Sequence, residues 1–363
     1  MEETIRIPRP ALEQFCTAVF IKLGLPADEA ADSAEILVAA DARGIESHGV
    51  GRLWRYKNGI QKGIMAGGIQ PAVIRETPMS LVLDAQGAMG LSLSRRTMQK
   101  VIDKAKAVGA AFSSVRNSNH FGIAGCYSEM AARCDMIGIA MTNTAALGVP
   151  TFGRKAMFGT NPIAVSVPAH SGRMFTLDMS TTVVTRGKIE VYEREGKPLP
   201  LGWAVDARGR GTTDAHQLLE DMLYQRGGGL LPLGGEGELF SGYKGYGLAV
   251  LVDILTAVLS GGLFGQSVMD SAATSARVCH FFGAVRLDLF RDPEDIKTSM
   301  DQLLSELEQA EPAEGCNRVY YAGLKEHEAE TESARLGVPL SRKVVSQLEQ
   351  IGRELAVEFP AKA

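Results

Sequence analysis

The spacing of apolar residues predicts three helices near the start of the chain. The first begins at Pro10 and stops at Gly24, because glycine commonly ends helices. The second ends at Gly44, and the third covers residues 53–62. Apolar positions recur at helical spacing in the first two: Leu12, Phe15, Val19, Phe20 and Leu23, then Ala30, Ala34, Leu37 and Val38. Glycines and a proline then break the periodicity, which places a domain boundary near residue 75.

Strands and helices alternate beyond that boundary. The apolar runs predict strands at 80–84, 111–115, 136–142, 163–167, 173–178 and 281–290. Helices are expected at 91–108, from Gly247 to about Ser260, after the Asp292-Pro293 pair, and over 331–357. This mixture is typical of an α/β or α+β protein with a sheet domain.

Composition narrows the classes of function. The chain has 363 residues, is 45% hydrophobic and carries a net charge of −4. It can bury a large core, but it lacks the basic stripe that a phosphate backbone requires, so we expect small-molecule chemistry and no nucleic-acid partner. No apolar run reaches the length of a membrane span, and the N-terminus lacks the features of a secretory signal. Without such a span, we expect no membrane partner. The five scattered cysteines have no metal or redox spacing, so we expect a reducing cytoplasm.

Several polar residues lie in irregular or glycine-rich loops. Ser47, His48 and Arg52 follow the second helix, and His120 and Thr160 lie in two later loops. An imidazole suits proton transfer near neutral pH, and a guanidinium can bind a carboxylate through two hydrogen bonds. A structural role is the alternative, with Ser47 as a helix cap, the histidines hydrogen-bonded to the backbone and Thr160 in a simple turn.

Two lysines complete the set of candidates. Lys188 follows a loop at residues 185–187, and Lys244 lies in the glycine-rich segment 234–247, where a helix N-terminus would face a ligand. The alternative for Lys188 is simple solvent exposure, and the alternative for Lys244 is a side chain that extends along its neighbouring tyrosines to reach solvent. The standard dinucleotide fingerprint, the P-loop, the zinc-protease motif and the serine-hydrolase elbow are all missing from the sequence. A nucleotide would therefore bind in another way, and metal catalysis is disfavoured.

Six segments together resemble the malate/L-lactate dehydrogenase family, whose members bind a nicotinamide cofactor on a non-Rossmann fold. They are residues 43–49, 116–122, 159–163, 177–180, 186–188 and 243–248. They occur in the family's order and span nearly the whole chain. The family also includes sulfolactate, ureidoglycolate and diketogulonate dehydrogenases and cyclic ketimine reductases.

The resemblance implies an NAD- or NADP-dependent oxidoreductase that forms a homodimer. Each protomer would have a helical domain and a non-Rossmann, mixed-sheet NAD(P)-binding domain. On this chain we assign residues 1–75, joined by C-terminal helices within 311–363, to the helical domain. Residues 76–310 form the sheet domain.

The resemblance also implies site residues by position. Proton transfer falls to His48 and His120, with Lys188 as a third catalytic residue, and Ser47, Arg52 and Thr160 match substrate-holding positions. Cofactor contacts are implied for Thr144, Asp178, Met179, Ser180, Lys244 and Gly245, and no metal is implied. Because ketimine-reducing members carry an acid at the position of Lys188, the lysine favours a 2-hydroxy or 2-keto acid substrate.

The leading hypothesis is reversible hydride transfer between the nicotinamide and a small 2-hydroxy or 2-keto acid. A cyclic ketimine reductase acting on piperideine- or pyrroline-2-carboxylate is one alternative, and a catalytically silent small-molecule binder is another. Three residues depart from the family pattern. Leu324 stands where the family usually has a glutamate, and Phe152 and Cys279 each replace a glycine.

Overall fold

The computed structural model describes residues 4–269 and 275–361. Within this part of the chain, a seven-stranded sheet has the order β2-β3-β4-β10-β5-β6-β7. Its strands are β2 (Ala72–Glu76), β3 (Ser80–Asp84), β4 (Ala110–Ser118), β5 (Met136–Thr142), β6 (Ile163–Pro168), β7 (Met174–Met179) and β10 (Val278–Arg286). Strands β3 and β4 are parallel, and the other neighbouring pairs are antiparallel. This sheet differs from the parallel sheet of the doubly wound dinucleotide fold.

Helices cover both faces of the sheet. Helices α1 (Arg9–Lys22), α2 (Ala27–Ala42), α4 (Gly90–Val108) and α5 (Gly125–Ala132) contribute to the main core, and α8 (Gly242–Asp253) packs on the opposite face. Because successive strand residues point to opposite faces, Phe282 enters the main core while Phe281 packs with Val252 of α8. The predicted mixed α/β class is confirmed.

A two-stranded sheet joins the first and last described strands. Strand β1 (Thr4–Ile7) pairs antiparallel with β11 (Val338–Ser341), and Ile7 faces Val338. Strand β11 separates α10 (Leu324–Leu336) from α11 (Arg342–Leu355), so the prediction of one helical segment over 331–357 was wrong. Gly337, with a φ of 90°, ends α10 in a conformation that favours glycine, and β11 then buries its alternate residues Val338 and Leu340.

A small unit with its own core lies beside the main sheet. It contains α6 (Arg186–Arg194), α7 (Ala215–Leu223) and the short pair β8 (Ala204–Val205) and β9 (Gly229–Leu230). The edge of Trp203 packs on Tyr192, with ring centres 4.9 Å apart. This unit includes the segment that carries Lys188.

Two further α-helices in the described part of the chain are α3 (Leu53–Gln61) and α9 (Pro293–Glu308). The strand predicted over 281–290 runs instead from Val278 to Arg286, because a 3-10 turn, Leu287–Leu289, follows it. One buried cluster joins side chains from both sides of residue 75, and the division into two domains stays a prediction. Among the described helices, none is both long and apolar enough to cross a membrane.

Candidate active site

The described residues surround a cavity of about 950 Å³. Six residues predicted for the site line this cavity: Ser47, His48, Arg52, His120, Thr144 and Thr160. They come from four separate stretches of the sequence, so the fold brings together loops that are distant along the chain. Other lining residues include Arg55, Asn119, Gly187 and Asp221.

Residues 46–52, named here the active-site loop, connect α2 to α3 through two 3-10 turns, Glu46–His48 and Val50–Arg52. The hydroxyl oxygen of Ser47 lies 2.8 Å from Nδ1 of His48. The Nε–H of Arg52 donates to the carbonyl oxygen of Ser47 at 2.7 Å. These contacts hold the three predicted side chains as one unit.

The rings of His48 and His120 stack, with centres 5.4 Å apart and planes 20° from parallel. Burial, together with the positive charge of Arg52, lowers the pKa of His48 to about 4. Burial also lowers the pKa of His120 well below its usual value, and His48 and Arg55 add to the effect. Both rings are therefore neutral at pH 7, and each has a lone pair at one nitrogen and a proton at the other.

Hydrogen bonds determine which nitrogen of His120 carries the proton. The hydroxyl of Tyr56 lies 2.6 Å from Nδ1, and the backbone N–H of Gly122 donates to the same atom at 3.3 Å. A backbone N–H can only donate, so Nδ1 is an acceptor and the neutral ring carries its proton on Nε2. Sequence reasoning missed Tyr56. Its position one helical turn after Arg52 could have indicated that it faces the same site.

Thr144 and Thr160 lie side by side where β5 ends and β6 begins. The N–H of Thr160 donates to the hydroxyl of Thr144 at 3.0 Å, and the N–H of Thr144 donates to Oδ1 of Asn161 at 3.2 Å. Asn161 has a φ of 36°, and its side-chain amide donates to the carbonyl of Ala249 in α8. Asn161 therefore connects both threonine loops to the helix behind them.

Three residues predicted to contact the cofactor lie at the end of β7: Asp178, Met179 and Ser180. They are not among the residues that line the cavity. A carboxylate oxygen of Asp178 accepts the N–H of Gly125, the first residue of α5, at 2.7 Å. The hydroxyl of Ser180 donates to the carbonyl of Thr182 at 3.0 Å. The observed role of Asp178 is thus at a helix N-terminus, where negative charge is favourable. The cofactor role of Asp178, Met179 and Ser180 stays a prediction.

Lys244 and Gly245 lie in the first turn of α8. A Cβ atom at Gly245 would lie 2.3 Å from the carbonyl oxygen of Leu233, so glycine allows the helix to pack on this backbone. Lys244 is exposed, with its Nζ 5.9 Å from the ring centre of Tyr243. Neither residue lines the described cavity.

Lys188 lies near the cavity but not in its lining. Thr185, Arg186 and Gly187 line the cavity, whereas Lys188 is exposed and its Nζ lies 5.7 Å from the ring centre of Tyr192. Its catalytic role stays a prediction. Among the described residues, no group of three or more His, Cys, Asp and Glu side chains could hold a metal ion.

The sequence profile of the malate/L-lactate dehydrogenase family matches residues 7–349. The chain belongs to this family. It is 41% identical to the malate dehydrogenase of Pyrococcus abyssi over 361 residues, which cover 98% of this chain and 97% of that protein. It is 35% identical over 343 residues to the L-sulfolactate dehydrogenase of Methanocaldococcus jannaschii, which covers 94% of each chain. The family resemblance predicted from the six segments is confirmed.

A solved structure is similar over the whole length. The malate dehydrogenase of Entamoeba histolytica superposes with a TM-score of 0.94 at 32% identity, and the match covers 99% of this chain and 100% of that one. This member of the malate/L-lactate dehydrogenase family therefore has the same fold as that malate dehydrogenase.

The three departures from the family pattern have different structural settings. Leu324 is buried against Leu304 of α9 and Tyr321, so an apolar contact occupies the position expected for a glutamate. Phe152 is exposed with a φ of 66°, a conformation that glycine adopts more easily. Cys279 is buried, and its N–H donates to Asn143 at 2.7 Å. Asn143 also lines the cavity, so this departure lies directly behind the site.

Proposed function

We propose that the protein is an NAD- or NADP-dependent oxidoreductase that acts on the C2 hydroxyl group of a small 2-hydroxy acid and, in reverse, on the 2-keto acid. The main support is the pair of stacked, neutral histidines beside Arg52 in one cavity. This arrangement combines a group that can accept a proton, a second that can donate a hydrogen bond, and a cation for the carboxylate. Family membership supports the same activity.

The residues of the cavity fit a nicotinamide cofactor. A volume of about 950 Å³ is at the upper end of the range for small-molecule sites, so it can hold part of a dinucleotide together with a small acid. Thr144 and Thr160 would hold the cofactor and substrate with their hydroxyl and backbone groups. The cofactor contacts of Asp178, Met179, Ser180, Lys244 and Gly245 are proposed from the family motifs. When bound, the cofactor supplies the hydride acceptor or donor.

Two arginines place positive charge beside the histidines. Arg52 and Arg55 both line the cavity and are three residues apart at the start of α3, so they lie on neighbouring positions of one helix surface. We assign Arg52 to the substrate carboxylate. Its Nε is held by Ser47, so the guanidinium is already oriented before the acid binds.

The hydrogen bonds distinguish the roles of the two histidines. Nδ1 of His120 accepts the N–H of Gly122, so this ring presents Nε2–H and is assigned to orient the C2 oxygen as a hydrogen-bond donor. Nδ1 of His48 faces the hydroxyl of Ser47, which can either donate or accept. His48 can therefore place its proton on Nδ1 and present a lone pair at Nε2. We assign His48 as the group that accepts the hydroxyl proton.

We also propose a homodimer. Tyr243, Leu251, Ile254 and Val258 recur at helical spacing along α8 and the turn that follows it, and all four are exposed in the single chain. An exposed apolar surface of this kind is usually covered in solution, and a second copy of the chain would cover it. Light scattering should give the mass of a dimer for the wild type and a lower mass for Ile254→Glu. A monodisperse, fully active wild-type monomer would contradict the proposal.

A cytoplasmic location is proposed on the state of the thiols. All five cysteines are free, and Cys134 and Cys316 are exposed. Exposed free thiols are typical of proteins in reducing compartments.

The central experiment mixes purified protein with NADH or NADPH and a panel of 2-keto acids and cyclic imines, and follows the absorbance of the reduced nicotinamide. We expect reduction of oxaloacetate or another small 2-keto acid. Reduction of cyclic imines alone would favour the ketimine reductase. Binding of the cofactor without reduction of any compound would favour the silent binder.

A further inference from the structure

Asp41 lies directly beneath the active-site loop. It belongs to the last turn of α2, and only 3% of its surface is exposed. Its Oδ2 accepts the backbone N–H of Val50 at 2.6 Å, a short distance that is typical of hydrogen bonds to ionised groups. Val50 stands between His48 and Arg52, so the carboxylate is bonded to the middle of the loop that carries both.

Gly49 provides independent support for the importance of this contact. A Cβ atom at position 49 would lie 2.1 Å from the carboxylate atoms of Asp41, which is far inside contact distance. The φ of Gly49 is −84°, a value open to every residue type. Glycine is therefore required here for space and not for backbone conformation, because the carboxylate of Asp41 occupies the position of the missing side chain.

We propose that Asp41 is a positioning residue whose ionised carboxylate holds His48 and Arg52 in their active arrangement, and that protonation of Asp41 loosens the active-site loop. The proposal rests on the proposed dehydrogenase function for its effect on activity. Asp41 touches neither substrate nor cofactor. It acts through the backbone of Gly49 and Val50.

The surroundings of Asp41 make its protonation relevant near neutral pH. Burial raises the pKa of Asp41 to about 7, although the N–H of Val50 opposes the shift, and the negative charge of Glu46 adds to it. From α1, the thiol of Cys16 also faces Asp41, and burial keeps this thiol neutral by raising its pKa well above the usual value. Among the described residues, Glu46 and Cys16 are the titratable groups that interact with the carboxylate.

The two histidines cannot produce the same pH dependence in the free protein. The pKa of His48 is about 4 and that of His120 is lower than its usual value by a wide margin, so both stay neutral across the range in which Asp41 titrates. Burial also raises the pKa of Asp178 to about 6, so a decline of kcat/KM on acidification is assigned to Asp41 only where Asp41→Asn lacks it.

The test compares wild type with Asp41→Asn, and uses Asp32→Asn as the control. Asp32 lies on the same helix but pairs with Arg95 at 3.0 Å, away from the loop. We expect kcat/KM of the wild type for malate oxidation to fall about tenfold or more between about pH 8.5 and about pH 5.5. Asp41→Asn should be slower than wild type by about tenfold or more at the higher pH and nearly equal at the lower pH. Asp32→Asn should follow the wild type throughout.

A second measurement does not depend on activity. The amide resonance of Val50 should titrate in the wild type with a midpoint near pH 7 and should not titrate in Asp41→Asn. Burial of the ionised carboxylate lowers the free energy of unfolding at high pH, and an asparagine carries no charge. At about pH 8.5, Asp41→Asn should therefore melt at or above the wild-type temperature. A rate ratio that is constant with pH, or a Val50 amide that does not titrate, would overturn the proposal. If the wild type oxidises no hydroxy acid, the proposed function fails, and the Val50 amide still decides the role of Asp41.

Discussion

The hydroxyl oxygen of Tyr56 lies 2.6 Å from Nδ1 of His120, and the phenol ring is fully buried. Burial raises the pKa of Tyr56 well above the usual value, so its hydroxyl stays protonated and can donate at any physiological pH. This buried donor holds the imidazole with Nε2–H directed away from α3. The orientation of the His120 ring is thus set by a residue that lies 64 positions earlier in the chain.

Tyr56→Phe should lower kcat by about tenfold with little change in KM, because the variant loses one hydrogen bond to a neutral ring while Gly122 still donates to Nδ1. The measurement is steady-state kinetics with oxaloacetate and NADH. Tyr224→Phe, at an exposed position, is the matched control and should behave as wild type. A variant with unchanged kcat would mean that the orientation of His120 does not limit the reaction.

His48→Gln and His120→Gln should differ in severity. Glutamine can place an N–H close to the position of the imidazole Nε2, so His120→Gln keeps a donor and should lose about tenfold in kcat. His48→Gln loses the proton acceptor and should lose about a hundredfold to ten-thousandfold. Circular dichroism is the control, and it should show that both variants fold as the wild type does. The opposite order of severity would assign proton transfer to His120 instead.

Lys188→Asp tests the substrate class. If the ammonium group acts near the substrate in the complete site, a carboxylate there should depress reduction of 2-keto acids and leave reduction of cationic cyclic imines intact or improved. We expect the ratio of kcat/KM for the two substrate classes to shift by about two decades or more. An unchanged ratio would agree with the present position of Lys188 over Tyr192, outside the cavity lining, and would remove the main argument against an imine substrate.

His280 should make stability depend on acidity. Its Nδ1 and Nε2 each lie 2.8 Å from a hydroxyl, of Thr142 and Ser118, and burial lowers its pKa to about 3. Because the unfolded chain binds a proton near pH 6.5 and the folded one does not, this contribution to stability is present above that pH and is lost as the pH falls towards 3. Between pH 7 and pH 5 the loss from this group is about 2 kcal/mol.

Urea unfolding of wild type and His280→Gln at the two pH values measures this contribution. The variant is expected to be less stable at pH 7, but its free energy of unfolding should fall by about 2 kcal/mol less on acidification. If both proteins lose the same free energy of unfolding on acidification, the pKa of His280 does not differ between the folded and unfolded states, and its burial has no such effect.

The sequence predicted best those parts of the site that lie within short motifs. Ser47, His48 and Arg52 are neighbours in the chain, and the fold holds them together much as their spacing suggested. Tyr56 was missed, and Asp41 was given no role of its own, because each lies within a helix, where helical periodicity alone is enough to explain its position. Their roles depend on contacts with His120 and Val50 that only the folded chain creates.

The glycine-rich segment that leads into α8 has two possible explanations, and the cofactor role of Lys244 and Gly245 within it stays a prediction. A glycine run before a helix suggests a phosphate or anion site, yet Gly245 packs against Leu233 and Gly242 would place a Cβ 2.0 Å from the carbonyl oxygen of Gly235. Sequence cannot distinguish a glycine that makes room for a ligand from one that makes room for the protein's own backbone. For β11, four residues after a glycine were too few to reveal a strand, because its partner β1 lies at the other end of the described chain.

Strand β10 pairs with β4 on one side and β5 on the other, although it follows both along the chain. During synthesis on the ribosome, β4 and β5 therefore emerge long before the strand that separates them, and each has an unpaired edge until β10 arrives. Exposed strand edges attract other chains or pair with each other in the wrong register. Until β10 has been made, the yield of correctly folded protein should therefore depend on chaperone binding and on the rate of translation. This dependence should be stronger than for a sheet whose strands pair in chain order.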